Sequence, residues 1–444
     1  MGTGQLEKVE PQKEKRLSLN VAKFFIFSAI GIFVFFVPIT MNGKSSIMLD
    51  HIVTFISSAV PGILPYYGLV VILAGAVYPF VNKTWNKDTV TTVFSLLKVL
   101  GLITAVMLVF NIGPKWFFDP NMGPFLFNKL VIPVGMLVPI GSIFLAMLVG
   151  YGLLEFIGIF MQPVMRPIWK TPGRSAVDAV ASFVGSYSIG LLITNRVFKE
   201  GKYTIKEAAI IATGFSTVSA TFMIVVAKTL DLMEIWNTYF WVTFLVTFLV
   251  TAITVRIWPL SKMNDSYYEN KEGDREVLVK KDRIRHAWQE AMATADTAPS
   301  LAQNIWANLK DGFIMTMGIL PSIMSVGLIG LVLAEYTPLF DWLGYLFYPF
   351  IALVQLPDPL LASKASALSI AEMFLPALLV AKAALVTKFV IGVVSVSAII
   401  FFSAVVPCIL STEIPLSIRQ LVIIWFQRVV LTILLTAPLA YLLL

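Results

Sequence analysis

The chain is poor in the residues that most soluble chemistry relies on. Its 444 residues include one cysteine and two histidines, and only 13% are charged. Cys408 has no partner for an intrachain disulfide and supports no argument about compartment or metal. The histidines, His51 and His286, fall in polar flanks, and neither H-E-x-x-H nor G-x-S-x-G occurs, so the sequence offers no hydrolase constellation. The reading is of a protein that is not an enzyme and needs no organic cofactor or resident metal. Soluble proteins average roughly 25% charged residues. With about half that share and 58% hydrophobic residues, this is a polytopic membrane protein. The net charge of +7 fits basic loops gathered on one face of a membrane, without recourse to nucleic acid.

What the chain does have is a duplication. LLEFIGIFMQPVMRPIWKTPG followed by SFVGSYSIGLLITNRVF, between Leu153 and Leu232, returns as LFDWLGYLFYPFIALVQLPDP followed by LSIAEMFLPALLVAKAA, between Leu339 and Ile414. Glu155 falls on Asp341, Gly158 on Gly344, Pro163 on Pro349, Gly190 on Pro376 and Arg196 on Lys382, each pair 186 apart (349 − 163). After a shorter connection the offset becomes 181, with Thr213 to Ser216 over Val394 to Ser397.

Around that duplication the chain divides into four parts. Residues 1–130 hold a polar N-terminus, an uncleaved first span over Phe24–Val37, an interfacial helix over Ser45–Val60, and spans over Gly62–Val81 and Thr91–Ile112. Residues 131–258 are the first repeat: a span (Val131–Tyr151), an interfacial helix interrupted by Pro163 and Pro167, a hairpin over Arg174–Phe198, and spans over Ile205–Val226 and Trp236–Trp258. Residues 259–311 are a charged cytoplasmic linker with a helix near Asp282–Thr294. Residues 312–444 repeat the order, with a span over Phe313–Leu333, an interfacial helix (Thr337–Val354), a hairpin (Leu360–Ala384), and spans over Phe389–Leu410 and Ile418–Leu442. Basic residues flank the first hairpin on both sides, so both its ends belong on one face and it is re-entrant. With the N-terminus inside and neither hairpin crossing, 24 of the 33 Lys and Arg lie inside and seven outside. That bias predicts nine crossings and two repeats of opposite orientation. The fold class is thus all-α, with two inverted repeats, each built from an interfacial helix, a re-entrant hairpin and transmembrane helices.

Three stretches, GSYSIGLLITN, TGFSTVSATF and SIAEMFLPALLVAK, carry a family likeness from about Val131 onward. The order of elements resembles the concentrative nucleoside transporters. More closely, the sequence is similar to the YjiH family, whose members carry the nucleoside-recognition Gate domain also found in FeoB-type iron transporters and spore maturation proteins. The chain lacks G-x-x-x-x-G-K-[ST], so no nucleotide-binding half accompanies it. The resemblance implies a bacterial plasma membrane protein that is a secondary transporter of a small polar solute, nucleoside-like by family label. It also implies sodium or proton coupling and an elevator-like movement of the hairpin-bearing core. Related carriers oligomerise through a scaffold, which extends the expectation of a homo-oligomer to this chain. An ion channel and a non-transporting membrane assembly factor are the rival readings.

Broken helices expose backbone donors and acceptors that can hold a ligand or an ion, which makes the hairpin tips the default site. Glu372 is the sharpest candidate: an acid inside a bilayer costs about 2.5–3.5 kcal/mol. It either binds a polar solute or carries a proton, or else it satisfies its own broken tip. Ser186, Tyr187 and Ser188 occupy the matching tip of the first hairpin, and Asn195, Met373, Ser395 and Ser397 complete the expected solute site. Gly185, Thr213, Ser216 and Thr217 are the expected ion site, although Ser and Thr also serve as ordinary glue between membrane helices. Asp178 and Lys364, at equivalent positions, are either gating charges or solvated hairpin ends. Arg428 either snorkels or pairs with Glu372 or a substrate carboxylate.

Overall fold

The computed structural model describes residues 9–41, 44–86, 89–120, 122–184, 186–270, 273–276, 278–279 and 281–444. The chain begins with α1 (Val9–Phe36), the antiparallel pair β1 (Pro38–Met41) and β2 (Lys44–Ile47), and α2 (Met48–Ala59). The interfacial helix expected from Ser45 therefore starts only at Met48. The residues before it pair with Pro38–Met41 instead, and the His51 ring holds the Ile39 carbonyl at 2.8 Å. Next come α3 (Leu64–Val81) and α4 (Thr89–Val109), then α5 (Gly123–Phe125), which runs through a π-turn into α6 (Ile132–Val149).

The first repeat continues with α7 (Leu153–Trp169), α8 (Ser175–Val184), α9 (Tyr187–Lys199), α10 (Ile205–Gly214), α11 (Ala220–Thr229) and α12 (Trp236–Thr254). The linker holds α13 (Arg283–Thr297). Then α14 (Leu301–Ser322) passes through a second π-turn into α15 (Leu328–Tyr336). The second half closes with α16 (Leu339–Gly344), α17 (Tyr348–Leu353), α18 (Pro359–Leu368), α19 (Leu375–Leu379), α20 (Leu385–Ser397), α21 (Val405–Leu410) and α22 (Ile418–Leu443). The sequence α8, α9, α10, α11, α12 thus recurs as α18, α19, α20, α21, α22.

The protein is an all-α polytopic membrane protein. Among the described residues seven helices are long and apolar enough to cross a membrane. The two remaining crossings of the nine expected are each split into halves, α10 with α11 and α20 with α21. At the centre α6 and α14 pack against each other, with α3 and α4 on α14. Their approach depends on small residues: a Cβ at Gly75 would fall on the Met317 carbonyl, and one at Gly101 on the Pro321 carbonyl.

Two interfacial elements differ from expectation. α7 is a single helix through Pro163 and Pro167, not an interrupted one. The Arg256 guanidinium donates to the Pro167 carbonyl at 2.7 Å and the Ile168 carbonyl at 2.6 Å, which satisfies its last turn from outside. Its counterpart is two short helices, α16 and α17, with Pro349 in the first turn of the latter.

The linker folds back over the base of the first hairpin. Glu276 Oε2 accepts from Gly173 N at 3.1 Å and Arg166 Nε at 3.0 Å, and Gln162 Oε1 accepts from Val279 N at 3.1 Å. The Ser266 carbonyl accepts from Ile205 N at 2.8 Å. Beside this strap the Lys202 Nζ lies 2.7 Å from Glu155 Oε1. Burial alone would push the Glu155 carboxyl up, but Lys202 and Arg174 outweigh it and hold the group below its ordinary value. A depressed folded pKa contributes stability that is fully present above the unfolded value, about 4.3, and is lost as pH falls through the folded value. Glu155→Gln is therefore expected to cost about 1–3 kcal/mol at neutral pH, since it leaves Lys202 only the Glu200 carboxylate, at 3.3 Å, as an ion-pair partner. It should also flatten the acid limb of the stability profile. Denaturant unfolding of the purified protein from neutral pH down to about pH 2 checks both.

Candidate functional site

The first hairpin is α8 and α9, packed against each other. Gly190 permits the close crossing, because a Cβ there would strike the Ser182 hydroxyl. Ser186 begins α9 in an extended conformation, and its hydroxyl bonds that of Ser188 at 2.8 Å. Gly185, expected in the ion site, lies outside the described residues.

Lower in this hairpin Asp178 is fully buried and accepts from Thr194 Oγ1 and Tyr203 OH, each at 2.7 Å. It is neither a solvated end nor a gating charge facing Lys364. It clamps α8 to α9 and to the turn before α10. Lys364 instead reaches Asp341 at 2.8 Å near the surface.

Each hairpin is followed by a split helix. α10 starts from a capping box in which the Thr204 hydroxyl and the Glu207 carboxylate satisfy each other's backbone amides. It ends at Gly214, and residues 215–219 are unwound before Ser219 caps α11. In the second half α20 ends at Ser397, and residues 398–404 are unwound before α21. There Ile399, a β-branched residue, sits at φ 60°, a conformation that costs about 1–3 kcal/mol unless its surroundings impose it. What holds that stretch is the tip of the second hairpin: Phe402 N donates to the Ile370 carbonyl at 2.6 Å and Ser403 N to the Ala371 carbonyl at 3.0 Å.

The tips and breaks meet across the two halves. The Tyr187 ring stands edge-on to Phe401 in the second break, with centroids 5.8 Å apart. Phe222, just past the first break, stands edge-on to Phe374 at the second tip, with centroids 5.9 Å apart. Tyr187 also lies within electrostatic range of Glu372.

Glu372 is 3% exposed, and its Oε2 accepts from Phe374 N at 2.5 Å and Leu375 N at 3.1 Å. The carboxylate therefore caps its own tip, as one reading of the sequence expects. It also lines a cavity of about 940 Å³ together with Phe125, Lys129, Glu335, Lys364 and Phe374. The cavity lies at the beginning of α6, the end away from the linker, and a volume of this size suits a small organic ligand.

The structure sorts the other candidates. Met373 is buried at the second tip. Ser216 Oγ, Thr217 Oγ1 and Ser395 Oγ are buried without hydrogen-bond partners at or near the breaks. Thr213 Oγ1 is engaged with the Ala209 carbonyl at 2.7 Å, and Ser397 Oγ with Thr432 Oγ1 at 2.8 Å. Asn195 sits away from the tips, where its Oδ1 accepts from Glu413 N at 2.9 Å and anchors the loop after α21. Arg428 neither snorkels nor pairs with Glu372: it is fully buried and donates to the Ser397 carbonyl at 2.8 Å.

Sequence reasoning missed Tyr203 and Thr194. The signal for both was Asp178, an acid inside an apolar segment, which calls for buried donors. Tyr203→Phe leaves that carboxyl short of one donor and is expected to cost about 1–3 kcal/mol. A lowered thermal midpoint of the purified variant, with Tyr441→Phe at the surface as control, checks it.

Residues 131–233, from the end of the π-turn before α6 to just short of α12, match the Gate family, described as nucleoside recognition. An uncharacterized protein of Alkalihalophilus pseudofirmus is 33% identical over 437 residues, covering 95% of this chain and 94% of the relative. No solved structure matches the chain. The likeness to the relative runs through both halves and the linker. The chain belongs to the same family as the Alkalihalophilus pseudofirmus protein, and it is a multi-pass membrane protein whose first half carries a nucleoside-recognition Gate domain of the transport type.

Proposed function

We propose that this protein is a secondary active transporter of a small polar, nucleoside-like solute, coupled to sodium or protons, in the bacterial plasma membrane. In this reading the N-terminus and linker are cytoplasmic and the two repeats are inverted, with domain boundaries at 130, 258 and 311. One observation carries it: the cavity bounded by Phe125 and Lys129 ends on Glu372, at the tip where both hairpins and both breaks converge.

The chemistry of that cavity fits such a solute. Phe118, Phe125 and Phe374 offer flat apolar faces to a base, and Lys129, Lys364, Glu335 and Glu372 offer balanced charge to its polar groups. The Glu372 carboxylate, fixed by two amides, is placed to accept from hydroxyl or amino groups at the closed end. The hydroxyls of Ser216 and Thr217, with the carbonyls freed by the unwound first break, supply the hard oxygen ligands that a coupling sodium requires. Movement of the hairpin-bearing core against the scaffold of α3, α4, α6 and α14 would carry the solute between faces.

The test is thermal stabilisation of the detergent-purified protein by nucleosides, nucleobases, amino acids, dipeptides and guanidino compounds, followed by uptake into proteoliposomes under a sodium or pH gradient. A ligand at 100 times its Kd contributes about 2.7 kcal/mol. The expected result is a nucleoside-class stabiliser that is taken up and whose effect disappears in Glu372→Gln. Stabilisation and uptake that survive Glu372→Gln move the site elsewhere. Stabilisation without uptake favours the assembly-factor reading, and unsaturable flux favours a channel.

A further inference from the structure

The linker helix α13 overhangs the body of the protein by one turn. Its buried stripe, Ala287, Ala291, Met292 and Ala295, fits it onto α7 and α1. Residues three and four apart share a helix face, so Ile284 begins the same stripe. Yet Ile284 is 72% exposed, because among the described residues nothing covers that first turn. Trp288, four residues on, shows what lies alongside: its ring meets Phe24 edge-on at 5.5 Å and Phe25 at 5.9 Å between centroids. Both phenylalanines belong to α1, a membrane-crossing helix, and lie within about two turns of the start of its span at Ser18. Phe25 is 57% exposed, on the side that α1 turns to lipid. The apolar stripe of α13 therefore runs off the protein close to where α1 enters the bilayer.

The overhanging turn is basic as well as apolar. Residues 281–286 read KDRIRH, and all six are exposed. Lys281, Arg283 and Arg285 stand against one acid, Asp282, and among the described residues none of the three has a carboxylate within 4 Å. Arg283 Nε has one long bond, to the Val279 carbonyl at 3.3 Å. Cations are disfavoured in the first turn of a helix, where the dipole is positive, so these arginines do not stabilise α13 itself. At 3.6 residues per turn they flank Ile284 on its two sides. An apolar side chain between long basic ones is the pattern of a helix lying in the membrane surface, the apolar group among the acyl chains and the basic heads among the phosphates.

We propose that the first turn of α13 docks on the bilayer surface, with Ile284 at the boundary of headgroups and acyl chains and Lys281, Arg283 and Arg285 on the phosphates of anionic lipid. Charge complementarity and continuity with the lipid-facing side of α1 select that occupant. The contact lies outside the solute cavity and stands whether or not the protein transports.

A nitroxide at Ile284→Cys, in a Cys408→Ala chain that lacks the one native thiol, tests the docking in nanodiscs. With phosphatidylglycerol in the disc, dissolved oxygen is expected to reach the label in preference to an aqueous nickel chelate. At Ala293→Cys, exposed on the opposite face of α13, the preference is expected to reverse. The nitroxide is itself apolar, so the charge dependence decides. Arg283→Gln with Arg285→Gln is expected to lower the ratio of docked to free turn about fivefold for each charge removed. Nickel access at Ile284→Cys should rise accordingly, and also in discs of phosphatidylcholine alone. Equal nickel access at the two positions in the anionic disc would overturn the proposal and favour a soluble acidic partner. An oxygen preference unchanged by phosphatidylcholine and by the double substitution would overturn it as well.

Discussion

Everything in this fold answers to one constraint: a peptide group cannot be left unpaired where there is no water to receive it. Two hairpins and two split helices interrupt the backbone, and at the second tip and at both breaks the interruption is met from another segment or by a side chain at the break. The second tip receives amides from the second break through Phe402 and Ser403. The Glu372 carboxylate takes two more amides, and Arg428 and Thr251 take the carbonyls at the ends of α20 and α10. Such arrangements are stable as a set. They are also where a solute or ion can compete for the same donors and acceptors, so the satisfied tip and the candidate site are one structure.

The layout suggests why the halves divide the work unequally. The first hairpin is tied at its base by Asp178, by the Glu155–Lys202 pair and by the linker strap through Glu276. The second hairpin has a five-residue helix for its returning arm and borders the large cavity. A hairpin fixed at its base facing one with open space beside its tip is the asymmetry that the proposed transporter would use to open its site to one face at a time.

Much of this was legible in the sequence because it was written in periodicity and in charge. The offset of 186 placed both helical hairpins. The splits were not legible, because neither TGFSTVSATF nor the seven residues after Ser397 contain a proline or a charge to mark a break, and what unwinds them is tertiary. Phe402 and Ser403 bond to a tip some 30 residues earlier, and Arg428 reaches Ser397 from another helix. Prolines misled in the other direction: Pro163 and Pro167 look like interruptions until Arg256 closes the turn. Asn195 shares a helix with the tip residues, yet it lies two turns further along and serves a different loop.

The central claim is that the two hairpins enter from opposite faces and meet in the middle. The most direct measurement is labelling of single cysteines by a membrane-impermeant maleimide, in intact cells and in inverted vesicles. The background is Cys408→Ala, which removes one buried thiol. Lys170→Cys, at the base of the first hairpin, and Lys382→Cys, beyond the second, are both exposed positions. The account predicts that Lys382→Cys labels only in cells and Lys170→Cys only in inverted vesicles. Labelling of both from the same face would contradict it.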